Sequence, residues 1–121
     1  MKLYQYRADI VKVTDGDTVR AYLDQGMHSF KVESLRVAGV DAPEVWRGDQ
    51  REAGGAALNF VIGWVADAAV NATDHGWPFE IETFKDRSSF GRYIAVIIRV
   101  DTGESLATAL VAAGHAVIST G

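Results

Sequence analysis

The chain has 121 residues, 48% hydrophobic and 23% charged, a balance that suits one globular domain spanning 1–121 and excludes a disordered or collagen-like chain. It contains no cysteine, which excludes disulfide staples and thiolate metal centres. Its formal net charge is −4, the opposite of the basic footprint usual in nucleic-acid binders, so a polyanionic substrate would have to be met by local arginines and a cation.

No charged-then-apolar leader opens the sequence, and no purely apolar run approaches the roughly 18 residues of a membrane span. The expectation is a soluble chain with no membrane contact, cytoplasmic by default. Residues 2–13 alternate as a strand. Tyr4, Tyr6, Ala8 and Ile10 share one face, and Val11 and Val13 then switch sides, which predicts a bulge or bend. Asp15-Gly16 is a hairpin signal. Val19, Ala21 and Leu23 alternate with Arg20, Tyr22 and Asp24 in a second strand. Residues 29–40 give a third strand, with another parity switch between Val32 and Leu35.

A helix is predicted over 49–68, with Asp49 and Glu52 spaced as a capping box and an apolar stripe of Ala53, Ala57, Phe60, Val61, Trp64, Val65 and Ala68. Residues 71–77 read as loop. Phe79 and Ile81 alternate with Glu80 and Glu82 in a fourth strand, Lys85 to Gly91 reads as a polar turn region, and Tyr93–Val100 is a fifth strand, apolar on both faces. A short helix over 105–113 is stopped by Gly114. Five strands with a helix between the third and fourth follow the order of an OB-type barrel. The expected fold class is therefore α+β: a five-stranded, OB-fold-like barrel with helices.

Three segments concentrate the chemistry: Val13 to Thr18, Leu35 to Glu44, and Phe90-Gly91-Arg92. Each alone suits a turn or a solvated strand end. Consecutive antiparallel strands, however, can bring the hairpin at Asp17 beside the far end of the third strand. Asp17 and Asp41 then offer carboxylate oxygens to one hard cation, the ligand type that calcium and magnesium prefer. Glu44 could hold or deprotonate a water beside it. Arg36 and Arg92 supply planar forks that match phosphate oxygens. Three carboxylates alone would repel a phosphate, whereas a divalent cation and two guanidiniums outweigh them.

Asp-Gly-Asp-Thr-Val at 15–19, Arg-Val-Ala-Gly-Val-Asp-Ala-Pro-Glu at 36–44 and Phe-Gly-Arg at 90–92 resemble the three signature blocks of the staphylococcal nuclease (thermonuclease) family, from about Ile10 to Ile118. The resemblance implies a calcium-dependent nuclease, with magnesium the weaker alternative, that hydrolyses single-stranded DNA or RNA at the bond to the 5′ oxygen. It implies Asp17, Asp41 and the Ala42 backbone carbonyl as metal ligands, with Asp15 in support. Glu44 would be the general base or water-orienting group, and Arg36 and Arg92 the phosphate-binding arginines. Ser89, Phe90 and Thr120 fall at substrate-contact positions where this chain departs from the family's lysine and tyrosines. The family's long third helix has no counterpart before Gly121, which leads to the expectation of apolar surface open to self-association.

Two other readings stay open on the same barrel: a module that grips nucleic acid without cutting it, and a protein-interaction domain. His28, His75 and His115 have no ligand spacing, which assigns them to surface or core rather than to zinc. Trp64 belongs to the helix stripe and so to the core. Trp46 and Trp77 suit either packing or base stacking.

Overall fold

The computed structural model describes residues 4–45, 48–72, 76–87 and 92–119, with the side chains of 85–87 excepted. Five strands close into a mixed barrel in the order β1-β2-β3-β6-β5. They are β1 (Gln5–Asp15), β2 (Thr18–Asp24), β3 (Phe30–Val37), β5 (Phe79–Arg87) and β6 (Tyr93–Arg99). Two helices, α1 (Arg51–Val70) and α2 (Leu106–Ala112), and a small pairing of β4 (Val40–Asp41) with β7 (Val117–Ile118) complete the described fold. A barrel with helices is thus observed, with antiparallel pairing of β1–β2, β2–β3, β1–β5 and β5–β6 and a parallel seam between β3 and β6.

The alternation read from the sequence fills this barrel. Ala8, Ile10, Val19, Ala21, Leu23, Leu35, Phe79, Ile81, Ala95 and Ile97 point inward and are buried. The parity switch in β1 is a register shift between Ile10 and Lys12, and Val11 is left 55% exposed. Such a bulge bends a strand round a barrel. The switch expected in the third strand is absent. Pairing of β3 with β2 is continuous from Arg36 to Phe30, so Phe30 and Val32 stay on the outer face, 43% and 40% exposed. β3 ends at Val37, and Gly39, at φ 79°, turns the chain into β4. β5 runs on to Arg87, so Lys85 to Arg87 are strand and not turn. The strand continues because Arg87 finds a ladder partner in Tyr93 across a register shift after Thr83.

Helix α1 starts one residue later than a capping box would need. Gln50 is its N-cap residue and makes no side-chain cap bond; Asp49 is therefore out of register with Glu52. Its core stripe is Gly54, Ala57, Val61, Trp64 and Ala68, with Ala53 exposed, because the helix meets the rest of the chain most closely at Gly54. By length and composition α1 could cross a bilayer, with a mean hydropathy of 1.4, yet this stripe is spent on the barrel, where the Trp64 ring stacks on Phe79 at 5.5 Å. Ser105 caps α2 by accepting from Thr108 N at 3.1 Å. Gly114, at φ 79°, ends it as expected: Gly114 N donates to Val111 O and His115 N to Leu110 O, a Schellman closure.

Candidate active site

The hairpin between β1 and β2 presents Asp15 and Asp17, both buried. The segment after β4 is fastened to it by two backbone donors. Ala42 N donates to Asp17 Oδ2 at 2.9 Å and Val45 N to Asp15 Oδ1 at 3.2 Å. Glu44, half-buried between these ties, is steadied from the other side by its own N–H, which donates to Gln50 Oε1 at 3.3 Å. Asp15 therefore holds the loop that carries Glu44, and Gln50, which sequence reasoning missed, holds it to the start of α1.

Two glycines make this closeness possible. A Cβ on Gly16 would lie 2.8 Å from Ala57 Cβ and 2.9 Å from Ala42 Cβ. A Cβ on Gly54 would lie 2.5 Å from Glu44 C and 2.6 Å from Val45 N. Real Cβ atoms do not approach backbone so closely, so the helix can press on the 42–45 segment only through glycine.

Arg36 sits at the centre. Thr18 and Arg36 are register partners in β2 and β3. The Arg36 Nη1 donates to Val40 O at 3.2 Å and lies 3.1 Å from Asp17 Oδ2, while Nη2 is bonded to Asp41 Oδ1. Arg92, just before β6, reaches the same cluster through Thr18. Its Nη1 donates to Thr18 Oγ1 at 2.8 Å, and Thr18 Oγ1 donates to Asp17 Oδ1 at 3.2 Å. Arg92, Thr18, Asp17, Arg36 and Asp41 thus form one polar chain drawn from four separate stretches of sequence. Thr18, only 2% exposed, was not singled out from the sequence, although its place inside Asp-Gly-Asp-Thr was the available signal.

Asp41 is the open end of this chain, with 54% of its side chain exposed. A cleft of about 260 Å³ opens beside it, lined by Asp41, Ala42, Pro43, Gln50, His115 and Val117 among others. The His115 ring lies 5.0 Å from that of Phe60, a packing role consistent with the sequence reading, and His28 is exposed in the β2–β3 turn. Another cavity, of about 250 Å³, opens among Tyr4, Tyr6, Lys31, Glu33, Phe84 and Tyr93, but none of the site carboxylates lines it.

Of the expected ligands, Asp17 has both carboxylate oxygens engaged, by Thr18, Ala42 N and Arg36, and Asp41 has Oδ1 engaged by Arg36; the Ala42 carbonyl is the third expected donor. An all-oxygen set fits calcium or magnesium and not the nitrogen and sulfur donors of structural zinc. Among the described residues no three His, Cys, Asp or Glu side chains converge as a complete metal-holding group. Most of a hard cation's shell would therefore come from water and phosphate oxygens. Ser89, Phe90 and Thr120 lie outside the described residues, as do Trp46 and His75. No protein-family model and no curated protein matches this chain.

Proposed function

We propose that this protein is a metal-dependent phosphodiesterase of the staphylococcal-nuclease-like, OB-type barrel kind, acting on single-stranded DNA or RNA with calcium as the expected ion. The observation that carries the reading is the single network joining Arg92, Thr18, Asp17, Arg36 and Asp41, with Glu44 tethered beside it. Two arginines and two aspartates beside a cleft give a cation and a phosphate the opposite charges that each needs.

In this reading Asp17, Asp41 and the Ala42 carbonyl would hold the cation, which when bound would supply Lewis-acid polarisation of a phosphoryl oxygen. Arg36 and Arg92 grip the non-bridging oxygens and stabilise the charge that grows on them as the nucleophile attacks. Glu44 accepts the proton of the attacking water or orients it, a role its tethered backbone serves by fixing where the carboxylate starts. Arg36 would exchange its bonds to Asp17 and Asp41 for bonds to the phosphate. Thr18 keeps Arg92 aimed at the same point.

The test is digestion of end-labelled single- and double-stranded DNA and RNA in calcium, magnesium or chelator, with identification of the product ends. Cleavage of single strands in calcium with 3′-phosphate ends is expected, and intact substrate in millimolar calcium would overturn the reading. One observation favours a second reading: Arg36 is already engaged by both aspartates, as it would be in a barrel that binds nucleic acid or protein without cutting it. Oligonucleotide binding without calcium-dependent cleavage would decide for that alternative.

A further inference from the structure

The outer face of the β1–β2–β3 sheet carries an arrangement that the proposed site does not use. Its outward positions fall into rows set by the pairing register. The first row is Asp15, Thr18 and Arg36, within the site. The next is Lys12, Arg20 and Ser34, then Asp9, Tyr22 and Val32, then Arg7, Asp24 and Phe30. Alternate residues of a strand are spaced by roughly 6.6 Å, so Tyr22 lies about 13 Å along β2 from Thr18.

The far rows hold an aromatic cluster. The Tyr22 and Phe30 rings are 5.3 Å apart with planes 10° from parallel. Trp77, from the segment before β5, stacks on both, at 6.0 Å and 20° from Tyr22 and at 6.3 Å and 22° from Phe30. Tyr22 and Phe30 remain 36% and 43% exposed. Three aligned rings open to water are costly unless something else covers them.

Between these rings and the site stand Lys12 and Arg20, both exposed, and neither is ion-paired among the described residues. Outside the site, the acids of the face lie in the far rows with the rings, where Asp9 accepts from Ile10 N at 2.9 Å and Asp24 from Gly26 N at 2.8 Å, so the row between rings and site carries positive charge alone. In a chain of net charge −4, two unpaired cations beside exposed aromatic faces match one ligand chemistry: a phosphate backbone with unstacked bases.

We infer that this face is a second contact surface for single-stranded nucleic acid, with Tyr22, Phe30 and Trp77 stacking bases and Lys12 and Arg20 meeting the phosphates between them and the site. The inference rests on the proposed nuclease reading for the direction of the strand. It adds that affinity grows with strand length beyond the nucleotide at the site and that duplex, whose bases are already stacked, gains little.

Fluorescence anisotropy in chelator, with labelled single strands of 3 and 12 nucleotides and a 12-base-pair duplex, tests it without cleavage. The 12-mer is expected to bind at least tenfold more tightly than the trinucleotide. The double variant Tyr22→Ala/Phe30→Ala should lose about tenfold in 12-mer affinity, with calcium-dependent cleavage of a dinucleotide substrate unchanged. Should that variant fail to fold, Lys12→Ala/Arg20→Ala, which removes only exposed cations, should flatten the salt dependence of 12-mer binding by a log–log slope of about 1.4. Wild-type affinity for the 12-mer in both variants, each folded by circular dichroism, overturns the inference. So does a wild-type dimer that the ring substitutions dissociate while oligonucleotide binding is untouched. Ring-dependent binding without cleavage of any substrate supports this surface and removes the nuclease reading alone.

Discussion

Two arginines in this molecule each hold two aspartates, and they do opposite things. Arg99 reaches Asp101 through Nε at 2.7 Å and Nη2 at 2.6 Å, and Asp67 of α1 through Nη2 at 2.7 Å. Its guanidinium also lies 5.6 Å from the Trp64 ring centre, and the Trp64 indole donates to Glu104 at 2.8 Å. Hydrogen bonds that Arg99 donates to Asp101 and Asp67 raise its pKa well above the ordinary value, and accepting from Arg99 lowers that of Asp101. This network clasps helix, strand and following loop, and although the Asp67 side chain is 63% exposed, it lines neither of the cavities described above. Arg36 is clasped by two aspartates as well, but Asp41 is half open to solvent, a cleft lies beside it, and a second arginine arrives through Thr18. The same residue types thus make a rivet in one place and the proposed reactive surface in the other. What separates them is the neighbourhood of the ion pairs: a cleft and a second arginine adjoin the Arg36 cluster, whereas neither cavity described above is lined by the Arg99 cluster.

The contrast can be broken most sharply at the open cluster. Glu44→Gln and Arg92→Ala are each expected to lower turnover on single-stranded substrate by roughly 10²–10³-fold, with the melting temperature nearly unchanged. A comparable fall in melting temperature would make this cluster a second rivet. Removing the rivet at Arg99 should do the reverse. Arg99→Ala is expected to cost about 3 kcal/mol in urea unfolding, near the low end for a broken buried pair because the Asp67 side chain is 63% exposed. The protein that remains folded should retain its specific activity.

Gly54→Ala probes the joint between the two regions. Its added methyl group must displace the Glu44–Val45 backbone, so about 1–3 kcal/mol of stability should be lost together with activity, whereas Gly55→Ala, with open space at its Cβ, should leave activity alone. The smallest effect is pH-dependent. Asp101 has a depressed pKa in the folded chain, so its contribution is present above its ordinary value of 3.8 and lost as pH falls below it. Asp101→Asn should therefore destabilise at neutral pH, and the gap from wild type should narrow in melts taken as pH falls below 3.8.

Much of the barrel was legible because strand parity is a strong constraint: Ala8, Ile10, Val19, Ala21 and Leu23 could share an interior in only one register. The bulge after Ile10 and the stop at Gly114 were legible for the same local reasons. The third strand misled because Phe30 and Val32 look like core but lie outward, where the Tyr22 and Trp77 rings stack on Phe30. The buried place of Gly54 and the role of Thr18 depend on elements distant in sequence, which no local pattern encodes. Arg99 could have been found, since it shares parity with inward Ala95 and Ile97, and a charge there requires partners. At the site, Asp17, Asp41, Arg36 and Arg92 do converge on one neighbourhood, as the three segments suggested, but which atom holds which was set by the hairpin and by Gly16.

The parallel pairing of β3 with β6 joins Leu35 to Tyr93 and Arg36 to Ile94. Contacts so remote along the chain are slow to form, because the entropy of closing a long loop is lost before any bond repays it. Arg36 and Arg92 flank this seam and become neighbours only once it has zipped. On the proposed nuclease reading, a chain that has made its hairpins but not this seam would have no paired guanidiniums to offer, so competence would wait for long-range closure rather than follow from any local element.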